Sequence, residues 1–508
     1  MSRDPARTPI LIGASQFSQA DVTVETAKSP VDFFTRLLEE AAEASGAKDP
    51  KKLLQRIDGI SLTNTIGWTP TNPCRLIAEA IGASPSIEEV SNVGGETALA
   101  VTNEAAMRIT RGESALAFVG GCNQMKSLEL FRRADQPNRW PEGGEGLPEI
   151  VGKAGWGDNE FERSHGLNAP ISVYPLFENA LRVARGQSLE AHLESMGALM
   201  APFTETAAAN PHAWFPTARS AEELVTPSPI NRMIFFPYAK YLNAVMATEQ
   251  AAGAIVASEE MANALGVPEE KRIHWRGGAW SVVDPWHVSE RPSFAEVPAM
   301  RTCHRTALAN AGLELDEIDL MDFYSCFPIA VSMACEMLGL DQKDPRGFSI
   351  TGGLPYAGGP GNSYSFHSLA TGVERLQQGE AETALVTGNG WYLTKHSATI
   401  LARTPAAEDA LPTSAPRPEL KSEWTAPPVA LDPEPSGRGT VETYTIGHGR
   451  DGEPEQGIII GRLADSGARF LANTPADPSL LADLETREVI GLEGTVETVD
   501  GLGVFRPA

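Results

Sequence analysis

Met107 to Gly121 reads MRITRGESALAFVGG, and Glu374 to Gly390 reads ERLQQGEAETALVTGNG. Each is the end of an amphipathic helix, then Gly-Glu, then an apolar run of strand length, then a glycine-rich turn. In both, Gly112 or Gly379 with the glutamate after it separates the helix from a short β-prone run. A second pair lies upstream, where LLQRIDGISL around Asp58 matches LELDEIDLMDF around Asp319. Asp58 to Asp319 is 261 residues and Gly112 to Gly379 is 267. Helix, glycine and strand recur in any α/β protein; a shared offset is what marks a duplication. The sequence is therefore read as two copies of one unit, each alternating strand and helix, which predicts parallel sheets covered by helices.

Composition sets the frame around that repeat. A chain of 508 residues, 42% hydrophobic and 21% charged, is long enough for about three cores. The formal net charge of −25 excludes nucleic acid and anionic membrane surfaces as general partners, because both repel carboxylates. Five cysteines, Cys74, Cys122, Cys303, Cys326 and Cys335, follow no CxxC spacing, so neither a disulfide framework nor a zinc site is expected, and a reducing cytoplasm is. MSRDPARTPILIGASQ lacks the apolar stretch of a signal peptide, and no run approaches the length of a membrane span.

Outward from the repeat, Pro9 to Gly13 reads as a first strand and Ser29 to Ser45 as a helix. Ser29 is its cap, Pro30 its first position, and Gly46 its left-handed stop. Residues 126–240 are rich in Pro, Gly, Trp and Asn and read as an insertion of binding-loop or lid type, with one helix from Ser188 to Ala201. From Thr404 to Pro435 proline, alanine and acidic residues read as a linker. Beyond it GTVETYTIGHG, EQGIIIGRL, ARFLANT, EVIGLEGTVETV and GVFRPA are short β-type runs, which predict a small barrel. The expected domains are 8–256 including the insertion, 272–403, a linker at 404–434, and a β domain at 435–508. GGLPYAGGPGNS is not a phosphate loop, since no Gly-Lys-Ser/Thr follows.

Four segments in order resemble the thiolase superfamily, in particular thiolase-like proteins related to the sterol-carrier type, over roughly residues 8 to 403. Val90 to Met125 is similar to the nucleophile loop, its helix, and the strand ending in Gly-Gly-x-Glu-x-Met, with Asn123 in place of the Glu. DFYSCFP, Asp322 to Pro328, resembles the His-Asp-Cys-Phe motif. GGLPYAGGPGNSYS, Gly352 to Ser365, resembles the Gly-His-Pro region, and TGNGWYLTKHS, Thr387 to Ser397, takes the place of the second-cysteine loop. The resemblance implies a thiolase fold, that is, duplicated βαβαβ halves in a layered α/β protein, with the C-terminal β-barrel resembling an oligonucleotide/oligosaccharide-type domain. It implies CoA or an acyl-CoA as ligand, with Arg132 and Arg133 as candidates for its phosphates. It also implies a homodimer joined through the strand Ser114 to Val119.

The family's chemistry maps less well. Asn92 to Glu96 holds no cysteine, the family's histidine falls on Gly359, and its second cysteine falls close to Gly388 or Asn389. A thiolate at a helix start, an imidazole and a second thiol are what thioester condensation uses. Three candidates remain: Tyr324 in place of the motif histidine, Cys326 as nucleophile or small buried residue, and His367 as relocated base or structural imidazole. His396 carries the same two readings. Glu96, at a helix start, reads first as a capping carboxylate. The overall resemblance favours an acyltransferase of the acetyl-CoA acetyltransferase kind, with two alternatives: a retro-aldol lyase on β-hydroxyacyl-CoA with a tyrosine-rich site, and an acyl-CoA-binding protein without catalysis.

Overall fold

The computed structural model describes residues 4–406 and 422–508. Nine strands lead up to the second half of the repeat: β1 (Pro9–Ser18), β2 (Gly59–Leu62), β3 (Ile87–Ser91), β4 (Leu116–Gln124), β5 (Glu149–Val151), β6 (Met233–Phe235), β7 (Tyr238–Ala239), β8 (Glu249–Ser258) and β9 (Ile273–Val282). Then come β10 (Leu320–Asp322), β11 (Thr383–Gly390) and β12 (Lys395–Ala402), followed by β13 (Gly437–His448), β14 (Pro454–Leu463), β15 (Arg469–Asn473), β16 (Glu493–Val499) and β17 (Leu502–Pro507). Ten of them run in one sheet in the order β10-β11-β12-β9-β1-β8-β4-β2-β3-β5, with the two halves joined where Ile10 and Leu11 face His274 and Ile273.

The marker residues of the repeat do the same work twice. The Asp58 carboxylate accepts hydrogen bonds from the backbone N–H of Ala115 and the hydroxyl of Ser114 at the entry to β4. Asp319 accepts from the backbone of Glu382 and Thr383 at the entry to β11. Each aspartate thus pins the strand that follows it to the start of its parallel neighbour, β2 to β4 and β10 to β11. Gly112 and Gly379 have φ of 75° and 76°, so both helices of the repeat end in a left-handed glycine.

Helices layer onto this sheet. α1 (Pro30–Ala44) starts in a capping box between Ser29 and Asp32 and buries Phe33, Phe34, Leu37, Leu38, Ala41 and Ala42. α2 (Thr97–Arg111) begins just after β3. α3 (Pro170–Ala184) and α4 (Leu189–Ala209) belong to the insertion, and α5 (Pro298–Ala311), α6 (Pro328–Leu338) and α7 (Tyr364–Gln377) to the second half. Ala98, Leu99 and Ile109 of α2 share a core with Phe366, Leu369 and Val373 of α7, so the equivalent helices of the two halves meet in the middle of the protein. No helix among the described residues is long and apolar enough to cross a membrane.

Three expectations are corrected here. The strand expected to join two copies lies inside the sheet, because β4 pairs with β8 on one side and β2 on the other and has no free edge. Beyond β2, the outer side of β3 is covered by β5 from the insertion. The insertion is also more ordered than its composition implies. It holds α3, which buries Pro175 in its interior, and α4 runs on to Ala209 through Pro202. Of the expected linker, 407–421 lies outside the described residues, and the part after it meets the C-terminal domain, where Leu431 bridges to Arg469.

β13 to β17 close into a five-stranded barrel in the order β14-β15-β17-β16-β13, with β13 returning to β14. The strands β6 and β7, from the insertion, extend the same sheet beyond β13. α8 (Pro478–Leu484) plugs one side with Leu481 and Leu484. His448, half-buried, ties the end of β13 to the residue after α8, with one ring nitrogen on the Gly452 carbonyl and the other on the Glu485 carboxylate. Burial pulls this imidazole down, but the Glu485 and Gly452 bonds outweigh it and hold its pKa above the ordinary 6.5. A raised folded-state pKa stabilises fully below the unfolded value and is lost as pH rises through the folded one. The stability advantage of wild type over His448→Gln is therefore expected to be largest below about pH 6 and to shrink above neutrality, as read by urea unfolding across pH.

Candidate functional site

The turn from β3 into α2 carries Gly94, Gly95 and Glu96, and its geometry permits little else. A Cβ on Gly95 would lie 2.2 Å from the Tyr324 hydroxyl and 2.5 Å from the Asn389 carbonyl oxygen. One on Gly94, whose φ is 157°, would lie 2.6 Å from Lys395 Nζ. Asn92 is tied by its amide to the carbonyls of Val151 and Gly152. No nucleophile stands in this turn, and none would fit at the two glycines.

Glu96 corrects the capping reading. It occupies the cap position but its side chain makes no capping bond. Instead it forms an ion pair with Lys395, 2.8 Å long, in which both side chains are 0% exposed. The ammonium also donates to the Val93 carbonyl at 2.7 Å. Burial pushes the Glu96 carboxyl up, and the Lys395 ammonium opposes that push only in part. Lys395 begins β12, where all eight residues are buried. Sequence reasoning quoted the segment that holds Lys395 but passed over the lysine itself.

Beside the pair lies a cluster of uncharged polar groups. The Asn389 amide donates to the Tyr174 hydroxyl at 2.8 Å and reaches Cys326 Sγ at 3.9 Å. The Tyr174 hydroxyl donates to the Trp391 carbonyl at 2.7 Å, and Phe327 stacks on the Tyr174 ring. The Tyr324 ring stands edge-on to Tyr364, its backbone N–H donates to Thr387, and its hydroxyl makes no hydrogen bond with any described residue. Burial pushes the Cys326 thiol up to about 12 and raises both Tyr324 and Tyr174 well above the ordinary phenol value. The groups of this centre are therefore neutral at physiological pH.

The loop behind the centre is strained and braced. Trp391 and Leu393 have φ of 51° and 54°, left-handed values unusual for side chains of that size. Tyr174 holds the Trp391 carbonyl, and the fully buried Arg291 donates to the Tyr392 carbonyl and the Thr394 hydroxyl. Arg469 of the barrel, also fully buried, donates to the carbonyls of Ser289 and Arg291 while pairing with Glu442. Through these two arginines the C-terminal domain supports the loop that carries Lys395. Neither Tyr174, which lies in the insertion, nor the arginines were legible in the sequence.

The sequence candidates divide. Tyr324 and Cys326 come together as expected, with Asn389. His367 does not join them. It sits on α7 with Nδ1 on the Gln16 amide oxygen and beside His212, Thr351 and Tyr364, and burial pulls it down to about 3. His396 bonds the Leu393 carbonyl and is likewise held neutral by burial. Arg132 and Arg133 are exposed, the latter paired with Glu129. Gly359 donates to the Val245 carbonyl, which lies 3.2 Å from where its Cβ would be. A Cβ on Gly388 would meet Ser397 Oγ at 2.5 Å and Glu96 Cα at 2.9 Å. Asn123 binds Met246 and Thr248. Asp322, unmarked in the sequence reading, is a buried hub that accepts from Ser368, Tyr364, Ser349, Thr351 and the Ile350 backbone.

The duplicated sheet, the paired middle helices and a polar centre at the start of α2 define a thiolase-fold protein. A Mycobacterium smegmatis protein described as a monomeric SCP2-thiolase like protein type 1 matches over 100% of both chains, at 32% identity with a TM-score of 0.82. The chain belongs to that SCP2-thiolase-like type 1 family. The family model for the thiolase-like protein type 1 additional C-terminal domain matches residues 419–501. More distant structures share the fold over 78% of this chain. The Ltp2-ChsH2(DUF35) aldolase is 18% identical with a TM-score of 0.59 and is covered over 98% of its length. The acetyl-CoA acetyltransferase of Syntrophomonas wolfei is 14% identical with a TM-score of 0.56 and is covered over 100%. No curated protein matches the chain.

Two outcomes follow from the buried groups. Removing one member of the Glu96–Lys395 pair strands a charge, so Lys395→Met is expected to cost about 3–5 kcal/mol, and the double variant Glu96→Gln/Lys395→Met much less; denaturant unfolding of the double-mutant cycle reads this. All five thiols are buried and burial raises each. Ellman's reagent at neutral pH is expected to find essentially none in the native protein and all five after denaturation.

Proposed function

We propose that this protein binds an acyl thioester, presented as its CoA ester, and does not form a cysteine-bound acyl intermediate. The observation that carries the reading is the neutral centre: a thiol pushed up to about 12, two raised phenols and an amide, gathered at the start of α2. Such groups orient a carbonyl by hydrogen bonding and supply no thiolate. The Tyr324 hydroxyl, unengaged by protein and against the Gly95 backbone, is the group assigned to the thioester oxygen. The family membership and the thiolase fold support the ligand class. An acyltransferase built on Cys326 with His367 is not favoured, because His367 belongs to a separate cluster and burial withholds the Cys326 thiolate.

One observation favours a second reading. Burial chiefly raises the Tyr324 phenol, with Cys326 and the buried Glu96 carboxylate adding to it, and both Tyr324 and Glu96 border the Gly94–Gly95 turn. A phenol donating to a thioester enolate, with a base for the β-hydroxyl, is what retro-aldol cleavage needs: the hydroxyl loses its proton, the Cα–Cβ bond breaks, and its electrons pass to the enolate. Calorimetry with acetyl-CoA and a 3-hydroxyacyl-CoA distinguishes these readings when paired with product analysis. Binding of both esters, weakened about fivefold by Tyr324→Phe, with no CoA release, no covalent adduct on Cys326 and no carbonyl product, is expected. An aldehyde or ketone from the hydroxyacyl ester establishes the lyase instead, a covalent acyl adduct by mass spectrometry restores the transferase, and no binding of either ester removes the proposal.

A further inference from the structure

On the far side of Glu96 from the polar centre, one face of α2 borders a cavity of about 250 Å³. Glu96, Thr97, Ala100, Val101, Asn103 and Glu104 supply that face, Ser91 and Val151 to Lys153 the edge of the sheet, and Trp280 of β9 the remaining wall. Many of these residues are polar by name, yet their polar groups are already engaged within the protein. The Ser91 hydroxyl donates to the Asn92 carbonyl, and the Thr97 hydroxyl to the Gly94 carbonyl. Asn103 accepts from Trp275 and Thr399 and donates to the Ala398 carbonyl. The Glu96 carboxylate is neutralised by Lys395, and that of Glu104 by Arg111. What the walls offer a ligand is therefore methyl, methylene and indole surface, together with the buried Trp280 Nε1–H, which has no partner among the described residues.

One charge is left over. The Lys153 side chain is exposed at the cavity and pairs with no carboxylate among the described residues, in a protein whose net charge is −25. An apolar slot with a single uncommitted cation at its rim fits an apolar body with one anionic head. The volume matches about eight methylene-sized groups, taking a methylene to fill a share similar to a water's roughly 30 Å³. We propose that this cavity is a site for a medium-chain monocarboxylate, with its tail against Ala100, Val101 and Trp280 and its carboxylate on Lys153. The site does not use Tyr324 or Cys326, so it stands or falls apart from the thioester reading. Expulsion of water from the apolar walls supplies most of the affinity, and the exposed ion pair adds a modest, salt-sensitive part.

Calorimetric titration of the full chain with sodium octanoate, octanol and sodium acetate tests this. Octanoate is expected to bind, octanol about fivefold more weakly, and acetate not measurably. Lys153→Gln is expected to bring octanoate down to the level of octanol, and Ala100→Phe, whose ring fills the slot, to lower octanoate binding at least tenfold. Tyr324→Phe is expected to leave it unchanged. Absence of octanoate binding at millimolar concentration overturns the proposal, as does wild-type affinity in an Ala100→Phe protein with a native unfolding transition. Octanoate binding that Tyr324→Phe weakens but Ala100→Phe and Lys153→Gln do not places the carboxylate in the polar centre and equally overturns it.

Discussion

A buried ion pair between residues nearly 300 positions apart organises this protein. Glu96 opens the middle helix of the first half, Lys395 opens the last strand of the second, and neither side chain reaches water. Two charges withdrawn from solvent hold only while their geometry is kept. The surroundings show what keeping it requires. Gly94 and Gly390 are glycines because a Cβ on either would enter the space of Glu96 Oε2. The turn after Gly390 takes left-handed backbone at Trp391 and Leu393, and Tyr174, Arg291 and Arg469 brace it in succession. The pair thus couples the two halves, the insertion and the barrel at one point, the point where the thiolase resemblance places a reactive thiol.

The fold was legible because its punctuation is local. Gly-Glu followed by an apolar run marks a helix end and a strand start whatever lies elsewhere, and the two aspartates marked the duplication because each is used within a few residues of the strand it pins. Prolines misled where local rules meet tertiary packing. Pro175 and Pro202 read as loop residues, yet both sit inside helices of the insertion. The site was legible only as far as motifs run. Tyr324 and Cys326 stood in a recognisable segment, as did Lys395, which went unmarked there, whereas Tyr174 and Arg291 converge from segments that carry no shared signal. His367 shows the reverse error, since an imidazole near a family motif is attractive on paper and proves to be a buried partner of Gln16.

The polar centre also shows how far a site can depart from its fold's usual chemistry without leaving a void. The positions near Gly359 and Gly388 are closed by the Val245 carbonyl and the Ser397 hydroxyl. A single reversion to histidine or cysteine would overpack such a site before it restored a reactive group. The neighbourhood is packed around the residues that stand there, leaving no gap at Gly388 for a larger side chain.

The barrel looks in sequence like an appendage, but β6 and β7 extend its sheet from the middle of the chain, and Phe235 pairs directly with Gly447 of β13. Its border in the gene and its border in the folded molecule therefore fall in different places. A chain cut after residue 400 keeps the β6–β7 hairpin but lacks the strand it pairs with and the Arg469 support of the Arg291 segment. Removing the barrel therefore reaches the loop that carries Lys395 rather than trimming the rim of the molecule.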